Sequence, residues 1–469
     1  MLFSSMIFLW AFLPVTLISY YLLRAEYRNY VLLAASLFFY AWGEPVYILL
    51  MLCSILLNYL FGIGLERTET IWKRKSVLIS CIIVNLGLLW YFKYSSGCFV
   101  FLNKLAGCEV IHVKNIILPI GISFYTFQAM SYVIDLYRKE IKVQKNILNL
   151  ALYISFFPQL IAGPIVKYKD VNRQLENRIV TEDSFTYGIK RFVLGLGKKV
   201  ILSNTLAEIA DSIFTVELAQ LHTGLVWFGV LMYTLQIYFD FSGYSDMAIG
   251  LGRMFGFRFM ENFNYPYISG SIREFWRRWH MSLSGWFRDY VYIPLGGNRK
   301  GKLRTYLNLF IVFLLTGIWH GASLNFLVWG LWHGVFSIIE RLGLGDFLEK
   351  NRIKVFNHIY TMFVVIVGWA MFRCASVREA GSVLRAMFTV RRSSVYVLSN
   401  FVSSRDWLII AVSILMCGIF QKVFPKASQK FVSEEPGNVV EYAGLAFILF
   451  ISIMYLVSGV YNPFIYFQF

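Results

Sequence analysis

Two histidines in apolar sequence are the residues of this chain best suited to acid–base chemistry. His280 lies in S-I-R-E-F-W-R-R-W-H-M-S-L-S, and His320 lies in L-T-G-I-W-H-G-A-S. An ionisable side chain at membrane depth is costly, so it is usually retained for a pathway or for chemistry. Imidazole accepts and returns a proton near neutral pH better than any other side chain. The pair predicts a membrane enzyme.

His320 is expected to lie deep in one membrane span. Counted from Thr305 at about 1.5 Å per residue, it is about 22 Å along its helix. Gly317 and Gly321 flank it and leave room for another helix or a substrate. With His280 at the inner boundary, the two histidines would mark two levels of one passage. The alternative for His320 is a structural histidine hydrogen-bonded to a carbonyl.

Two further polar residues lie in apolar sequence. The Asp246 carboxylate, near the end of a long apolar run, could orient a histidine or hydrogen-bond a neighbouring helix. His333, in W-G-L-W-H-G-V, could support the site or be a packed core residue. The sequence leaves both alternatives open.

The residues around His280 alternate between aromatic and basic. Aromatic and apolar side chains recur at intervals of three and four residues, which predicts one continuous helical face: Trp276, Trp279, His280, Leu283, Phe287 and Tyr290. Arginines fall largely on the opposite side, so we expect a helix at the membrane–water boundary. Such a helix could serve only as an anchor, with His280 as one more interfacial aromatic residue.

Composition indicates an integral membrane protein. Hydrophobic residues make up 58% of the chain and charged residues only 15%, against about 25% charged in ordinary soluble domains. The net charge of +17 lies in short loops rich in Lys and Arg, as expected for cytoplasmic loops, so nucleic acid is not expected as a partner. No Cys-x-x-Cys pair occurs, so no metal site is expected.

Basic clusters also set the expected topology. Placing them in the cytoplasm puts both the N-terminus and residues 461–469 outside. The clusters are residues 24–28, 67–75, 138–145, 253–304, 341–354 and 422–430. The expected spans are residues 1–23, 30–42, 46–65, 76–92, 115–137, 223–250, 306–322, 324–339, 359–373, 407–420 and 441–460. Residues 148–166 and 187–203 are too interrupted to assign as crossing or re-entrant.

Several segments resemble one enzyme family. W-R-R-W-H-M-S-L-S-G-W-F-R-D-Y-V-Y-I-P-L-G-G-N and T-G-I-W-H-G-A-S resemble the membrane-bound O-acyltransferase (MBOAT) family. M-L-F-S-S-M-I-F-L-W-A-F-L-P, F-F-P-Q-L-I-A-G-P-I-V and Y-F-D-F-S-G-Y-S-D-M-A-I-G resemble its bacterial branch that includes alginate O-acetyltransferases. The resemblance runs from the first residues to the last. It implies His320 as the catalytic residue and His280 as the second active-site position.

The resemblance also implies the architecture. We expect an all-α integral membrane protein with many spans, a central funnel or tunnel, and interfacial or re-entrant helices. Residues 1–469 would form one polytopic domain, with the family core near residues 115–375 and the last spans and tail at residues 407–469. The bacterial cytoplasmic (inner) membrane is its expected location.

The implied reaction moves an acyl group, expected to be acetyl, from a thioester to a hydroxyl. Imidazole would remove the hydroxyl proton, and Asn325, Trp319 or backbone amides could stabilise the tetrahedral intermediate. The donor would be acetyl-coenzyme A or an acyl carrier protein, with no bound cofactor. Its phosphates could be received by four arginines, although cytoplasmic topology explains them equally well: Arg273, Arg277, Arg278 and Arg288.

The tail Y-N-P-F-I-Y-F-Q-F contains a second candidate group, Tyr466. An aromatic membrane belt would explain its rings without further function. The related teichoic-acid D-alanylation systems carry a similar tail on a separate small protein, which implies Tyr466 as an acyl acceptor. An exported transferase would then collect the group for an extracellular polysaccharide.

Two other functions remain open from the sequence. One is the same chemistry with D-alanine as the acyl group and teichoic acid as the acceptor. Against it, the tail is part of this chain, whereas the D-alanylation systems carry it on a separate protein. The other is a transporter or flippase whose histidines line a substrate path. Against this, no inverted repeat or pair of broken spans is evident.

Overall fold

The computed structural model describes residues 1–113, 116–392, 395–425, 428, 433–459 and 461–462. These residues form helices, turns and irregular segments, and no strand occurs among them. The expected all-α class is confirmed.

Seven helices within the described ranges are long and apolar enough to cross a membrane. Most of the expected spans recur as these helices, often with ends shifted by a few residues. The protein is a multi-pass membrane protein. The seven helices are Ile48–Arg67, Ile71–Ala106, Thr223–Met254, Lys302–His320, Lys354–Arg373, Ser404–Val423 and Val439–Val457.

The chain divides into two compact units. Unit 1 comprises Met1–Ile189 and Ala248–Met260, and unit 2 comprises Lys190–Met247 and Glu261–Phe469. Two continuous helices, Glu182–Gly197 and Thr223–Met254, contribute residues to both units.

Unit 1 is built around an aromatic cluster near the N-terminus. Five buried rings form tilted, edge-on or stacked pairs whose centroids lie 5.0 to 6.4 Å apart: Phe3, Phe8, Phe12, Phe39 and Phe157. Such pairs add to the apolar area that burial removes from water. The α-helices that lie wholly in unit 1 are Leu13–Leu22, Arg28–Gly43, Ile48–Arg67, Ile71–Ala106, Ile122–Tyr137, Ile147–Ser155, Phe157–Leu160 and Tyr168–Glu176.

Residues 148–166 form two short helices. Asn146 caps the first, Ile147–Ser155, by accepting from the backbone N–H of Leu148. The chain breaks at Phe156 before the second, Phe157–Leu160. Neither approaches the roughly 20 residues that a crossing helix needs.

Unit 2 contains both histidines singled out in the sequence. A Cβ on Gly195 would lie 2.6 Å from the carbonyl oxygen of Gly243, so the backbones of two helices touch there. The α- and π-helices described in unit 2 are Lys198–Ser203, Asn204–Phe214, Thr223–Met254, Ile272–Arg278, Met281–Phe287, Arg288–Tyr292, Lys302–His320, Leu324–Ile339, Glu340–Leu344, Gly345–Lys350, Lys354–Arg373, Val377–Phe388, Ser404–Ile414, Leu415–Ile419, Phe420–Val423 and Val439–Val457.

Candidate active site

His320 is the last residue of the helix Lys302–His320, which we call the His320 helix. The helix Leu324–Ile339, the return helix, then runs back along it. A Cβ on Gly317 would lie 2.5 Å from a carbonyl oxygen of the return helix, and one on Gly330 would lie 2.5 Å from a carbonyl oxygen of the His320 helix. The close approach expected at Gly317 is confirmed, and it fixes the position of His320.

Aromatic rings surround the imidazole of His320. The ring centroids of Trp319, Trp329 and Phe372 lie 4.9, 5.0 and 5.1 Å from its own. Only 7% of His320 is exposed. A wall of this kind excludes water, so electrostatic interactions inside it are stronger than in solvent.

His280 lies between two short helices, Ile272–Arg278 and Met281–Phe287. Its φ of 45° places it in the left-handed region. The expectation of one continuous helical face through Trp276 and Tyr290 is therefore wrong, because the chain breaks at His280. The residue is also buried, at 2% exposure, and is not an interfacial side chain. Left-handed non-glycine residues are strained and cluster at functional sites.

Asn262 orients the imidazole of His280. Its Oδ1 accepts from the backbone N–H of Ser282 at 3.2 Å and from the Ser282 hydroxyl at 2.8 Å. A backbone N–H can only donate, so the oxygen of the amide faces this side, and His280 Nδ1 at 3.0 Å must carry a hydrogen. The lone pair of the neutral ring is then on Nε2.

The Nε2 atom of His280 is buried and has no hydrogen-bond partner within the described part of the chain. His280 lies outside the seven membrane-spanning helices, and burial lowers its pKa to about 3. The imidazole is therefore neutral at physiological pH. An oriented, neutral imidazole with a free lone pair is a hydrogen-bond acceptor or a base.

Sequence reasoning missed Asn262. It lies in E-N-F-N-Y-P, where asparagine and proline indicate a turn and nothing marks a buried amide. Its Nδ2 donates to Ser245 Oγ at 3.0 Å, so both ends of the amide are held. The one feature of the sequence that could have indicated its role is that Asn262 is a polar residue close to the aromatic residues Phe263 and Tyr265.

Trp319 contacts both histidines. Its ring centroid lies 6.1 Å from that of His280 and 4.9 Å from that of His320. The two residues singled out by their types are thus brought to one aromatic cluster in unit 2.

His333 belongs to the same cluster. Its ring stacks on Phe275 and meets the edges of Trp276 and Trp329, and the latter also packs on His320. A Cβ on Gly368 would lie 2.6 Å from its Nε2. Neither ring nitrogen has a hydrogen-bond partner among the described residues. His333 is a tightly packed neighbour of the pair.

Asp246 pairs helices in unit 2. Its Oδ1 accepts from Arg191 at 2.6 and 2.9 Å, and its Oδ2 from Lys198 at 2.6 Å. Both carboxylate oxygens are therefore used in helix–helix pairing. Of the two roles left open by the sequence, orienting a histidine falls to Asn262.

Asn325, near the start of the return helix, is hydrogen-bonded to the segment that follows the helix Lys354–Arg373. One N–H of its amide donates to the carbonyl oxygen of Cys374, directly after Lys354–Arg373. The contact ties the start of the return helix to that chain, close to the ring of Phe372 beside His320.

Two of the four candidate donor-binding arginines line a cavity of about 990 Å³. Arg273 and Arg277 share its wall with Lys354 and Lys422. Glu340, also in the wall, accepts from the backbone N–H of Arg273 at 2.9 Å, and burial raises its pKa.

The other two arginines have carboxylate partners. Arg278 lies 2.8 Å from Glu274, and Arg288 lies 2.7 Å from Asp289. Neither is among the residues that line the cavity.

Tyr466 lies outside the described residues. The two described residues of the tail, Tyr461 and Asn462, are both hydrogen-bonded within unit 2. The start of the tail therefore has a defined position.

Comparisons with known proteins agree on one family. The model of the MBOAT, membrane-bound O-acyltransferase family, matches residues 93–383. The chain is 42% identical to a probable alginate O-acetylase of Pseudomonas putida, with 100% of both chains covered. It is 34% identical to a peptidoglycan O-acetyltransferase of Helicobacter pylori, over 85% of this chain and 82% of that one. It is 31% identical to a teichoic acid D-alanyltransferase of Bacillus subtilis, over 45% of this chain and 55% of that one.

Proposed function

Because the chain belongs to the membrane-bound O-acyltransferase family, it is a membrane-embedded O-acyltransferase. We propose that it moves an acetyl group from a cytoplasmic thioester toward an extracellular polysaccharide. The observation that carries this proposal is the buried pair His280 and His320 on one indole, Trp319. Relatives named for acetylation of alginate and peptidoglycan align with most or all of the chain, which supports a polysaccharide as the final acceptor.

In this proposal His320 is the general base. The acceptor oxygen attacks the thioester carbonyl carbon while its proton passes to the imidazole. The tetrahedral intermediate collapses, the carbon–sulfur bond breaks, and the thiolate takes the proton back from the imidazolium. The rings of Trp329 and Phe372 support this role because they keep competing water from the thioester.

His280 is assigned to the donor side of the same centre. It follows the short helix whose Arg273 and Arg277 line the cavity. Because its Nδ1 hydrogen is committed to Asn262, only Nε2 can accept a hydrogen bond or a proton from the donor.

We assign the donor's anionic groups to the cavity of about 990 Å³. Coenzyme A and a carrier protein's prosthetic arm both carry phosphate, which Arg and Lys bind well. The wall contains four cations, Arg273, Arg277, Lys354 and Lys422, together with three carboxylates, Glu274, Glu340 and Glu349. The clustering of the four cations also favours this face as the cytoplasmic one.

The immediate acceptor is proposed to be Tyr466 on the outward-facing tail. Its hydroxyl oxygen would form the ester and lose its proton to His320. The acyl-tyrosine would then be collected by an exported transferase partner. The position of Tyr461 beside Asp211 supports a tail that begins on the His320 side of unit 2.

D-alanyl transfer is the second candidate. A teichoic acid D-alanyltransferase shares 31% identity with the chain. That match covers 45% of this chain, whereas the two O-acetyl relatives cover 85% or more. The longer matches favour acetyl as the group and a glycan hydroxyl as its destination.

Radiolabelled acetyl donors test the proposal. The purified protein in detergent would be incubated with acetyl-coenzyme A or an acetylated carrier protein, and thiol release and protein label measured. His320→Ala should reduce both by about 10²- to 10⁴-fold, as expected for loss of a general base. His112→Ala, at an exposed position paired with Glu109, is the matched control and should retain both activities.

Two outcomes would contradict the proposal. Activity retained by His320→Ala would remove that residue from its role. If neither donor reacted with the parent protein, while D-alanyl carrier protein did, the acyl group would be D-alanine.

A further inference from the structure

The first described residue of the tail is connected to the surroundings of His320 by three successive contacts. Tyr461 Oη donates to Asp211 Oδ2 at 3.2 Å. Asp211 Oδ1 accepts from Arg373 Nη2 at 2.6 Å. Phe372, next to Arg373, packs its ring 5.1 Å from that of His320. The tail therefore begins at the same end of Lys354–Arg373 as His320.

The next residue is held by a second, independent set of polar contacts. Asn462 Oδ1 accepts from Asn204 Nδ2 at 3.1 Å, and Asn204 Oδ1 accepts from Lys199 Nζ at 2.9 Å. Lys199 in turn pairs with Asp240 at 2.6 Å, and both side chains of this pair are almost completely buried. The second contact of the tail thus ends on a rigid ion pair inside unit 2.

We propose that Asp211, Arg373 and Asn204 form a clamp that fixes the start of the tail and positions the following residues for reaction beside His320. The inference rests on the proposed function, since it gives the clamp the task of presenting the acyl acceptor. None of the three residues is assigned to touch the reacting atoms, so they are positioning residues.

The contour length of the chain makes the clamp effective. Tyr466 is four residues after Asn462, so the two Cα atoms can be at most about 14 Å apart. A fixed Asn462 therefore limits how far the Tyr466 hydroxyl can move from it, which would raise the effective concentration of that hydroxyl at a centre within this reach.

The contacts also distinguish the two tyrosines of the tail. The hydroxyl of Tyr461 is engaged by Asp211. Partial burial and the neighbouring Asp211 carboxylate raise the pKa of Tyr461, which makes its phenolate harder to form. Tyr461 is thus suited to anchoring, which leaves Tyr466 as the proposed acyl acceptor.

Three substitutions test the clamp in the full-length protein. Tyr461→Phe removes only the hydroxyl, Asp211→Asn removes the charge, and Asn462→Ala removes the second contact. Glu208→Gln is the matched control, because Glu208 is an exposed carboxylate on the same helix, Asn204–Phe214.

The first measurement needs no acyl donor. Carboxypeptidase trimming of the C-terminus in detergent, followed by intact mass, should become about tenfold faster in Tyr461→Phe and Asp211→Asn, the effect of losing one charge-assisted hydrogen bond. Asn462→Ala loses a neutral amide–amide hydrogen bond, so its trimming should become about threefold faster. Glu208→Gln should be trimmed at the parent rate. Equal trimming in all proteins would overturn the clamp whether or not the proposed function holds.

The second measurement separates positioning from donor binding. The clamp variants should label Tyr466 about tenfold more slowly at saturating donor, with the donor KM unchanged. Faster trimming with full labelling would overturn the positioning role. A parent protein that is never labelled would overturn the proposed acyl-tyrosine, and the trimming rates would still decide whether the clamp exists.

Discussion

Asn262→Asp should make the reaction newly sensitive to acid. In the parent, Oδ1 of Asn262 lies 3.0 Å from His280 Nδ1, and burial keeps the pKa of His280 at about 3. The aspartate keeps an acceptor for Ser282 and His280 but adds a negative charge. An opposite charge at this distance raises the pKa of a histidine by about 1 to 3 units.

The direction of this pH dependence follows from the role assigned to His280, which can accept a hydrogen bond or a proton at Nε2 only while its imidazole is neutral. A pKa raised to about 4–6 means that His280 becomes protonated within the range in which a thioester can be assayed. Nε2 then carries a hydrogen and can no longer accept. The ratio of variant to parent rate should be steady near pH 8 and fall about tenfold per unit below the new pKa.

The assay is the initial rate of thiol release from pH 4 to pH 8 in one mixed buffer. Taking the ratio of variant to parent removes every other group that titrates in both proteins. Asn85→Asp is the control, because Asn85 is a buried asparagine of unit 1 that hydrogen-bonds Asn58. This substitution measures how much a buried aspartate lowers the rate when it is not next to His280. A ratio that stays flat across the whole range would refute the assignment of His280 as a neutral acceptor oriented by Asn262.

Two more substitutions test the donor cavity and the helix contact behind His320. Arg273→Ala should raise the donor KM about tenfold at unchanged kcat, because Arg273 lines the cavity. Arg288 pairs with Asp289 and does not line the cavity, so Arg288→Ala is the control and should leave the donor KM unchanged. Equal effects of the two substitutions would contradict donor binding in this cavity. Gly317→Ala should lower stability by about 1–3 kcal/mol, because its Cβ would lie 2.5 Å from a backbone oxygen. Gly381→Ala, with nothing within 4 Å, is the control in thermal unfolding, and identical midpoints would refute the overpacking argument.

Apolar runs predicted most of the fold because a membrane fixes both the length and the polarity of a crossing helix. The runs expected at residues 306–322 and 324–339 recur as Lys302–His320 and Leu324–Ile339. The second has only 16 residues and is not among the seven long apolar helices. At Ile339 it continues directly into the π-helix Glu340–Leu344, and hydropathy does not report this change of helix type.

The surroundings of His280 could not be predicted in the same way. Aromatic residues recur at helical spacing on both sides of His280, and the break between them is local. The left-handed backbone of His280 coincides with contacts from Asn262, which precedes it by 18 residues. A periodic pattern carries no information about such a contact. Residue type was enough to select His280 as a candidate, whereas the periodic pattern predicted the wrong backbone conformation for it.

The helix Lys354–Arg373 separates the proposed donor side from the acceptor side. Lys354, at one end, lines the cavity of about 990 Å³, and Arg373, at the other, pairs with Asp211, which accepts from Tyr461. Twenty helical residues span about 30 Å, which matches the hydrocarbon core of a bilayer. Phe372 places His320 near the Arg373 end, so a donor held in the cavity must extend its thioester most of this distance. In the proposed function, a long, flexible thioester arm would meet that requirement. The acyl group would then move outward without moving the donor's charged groups through the membrane.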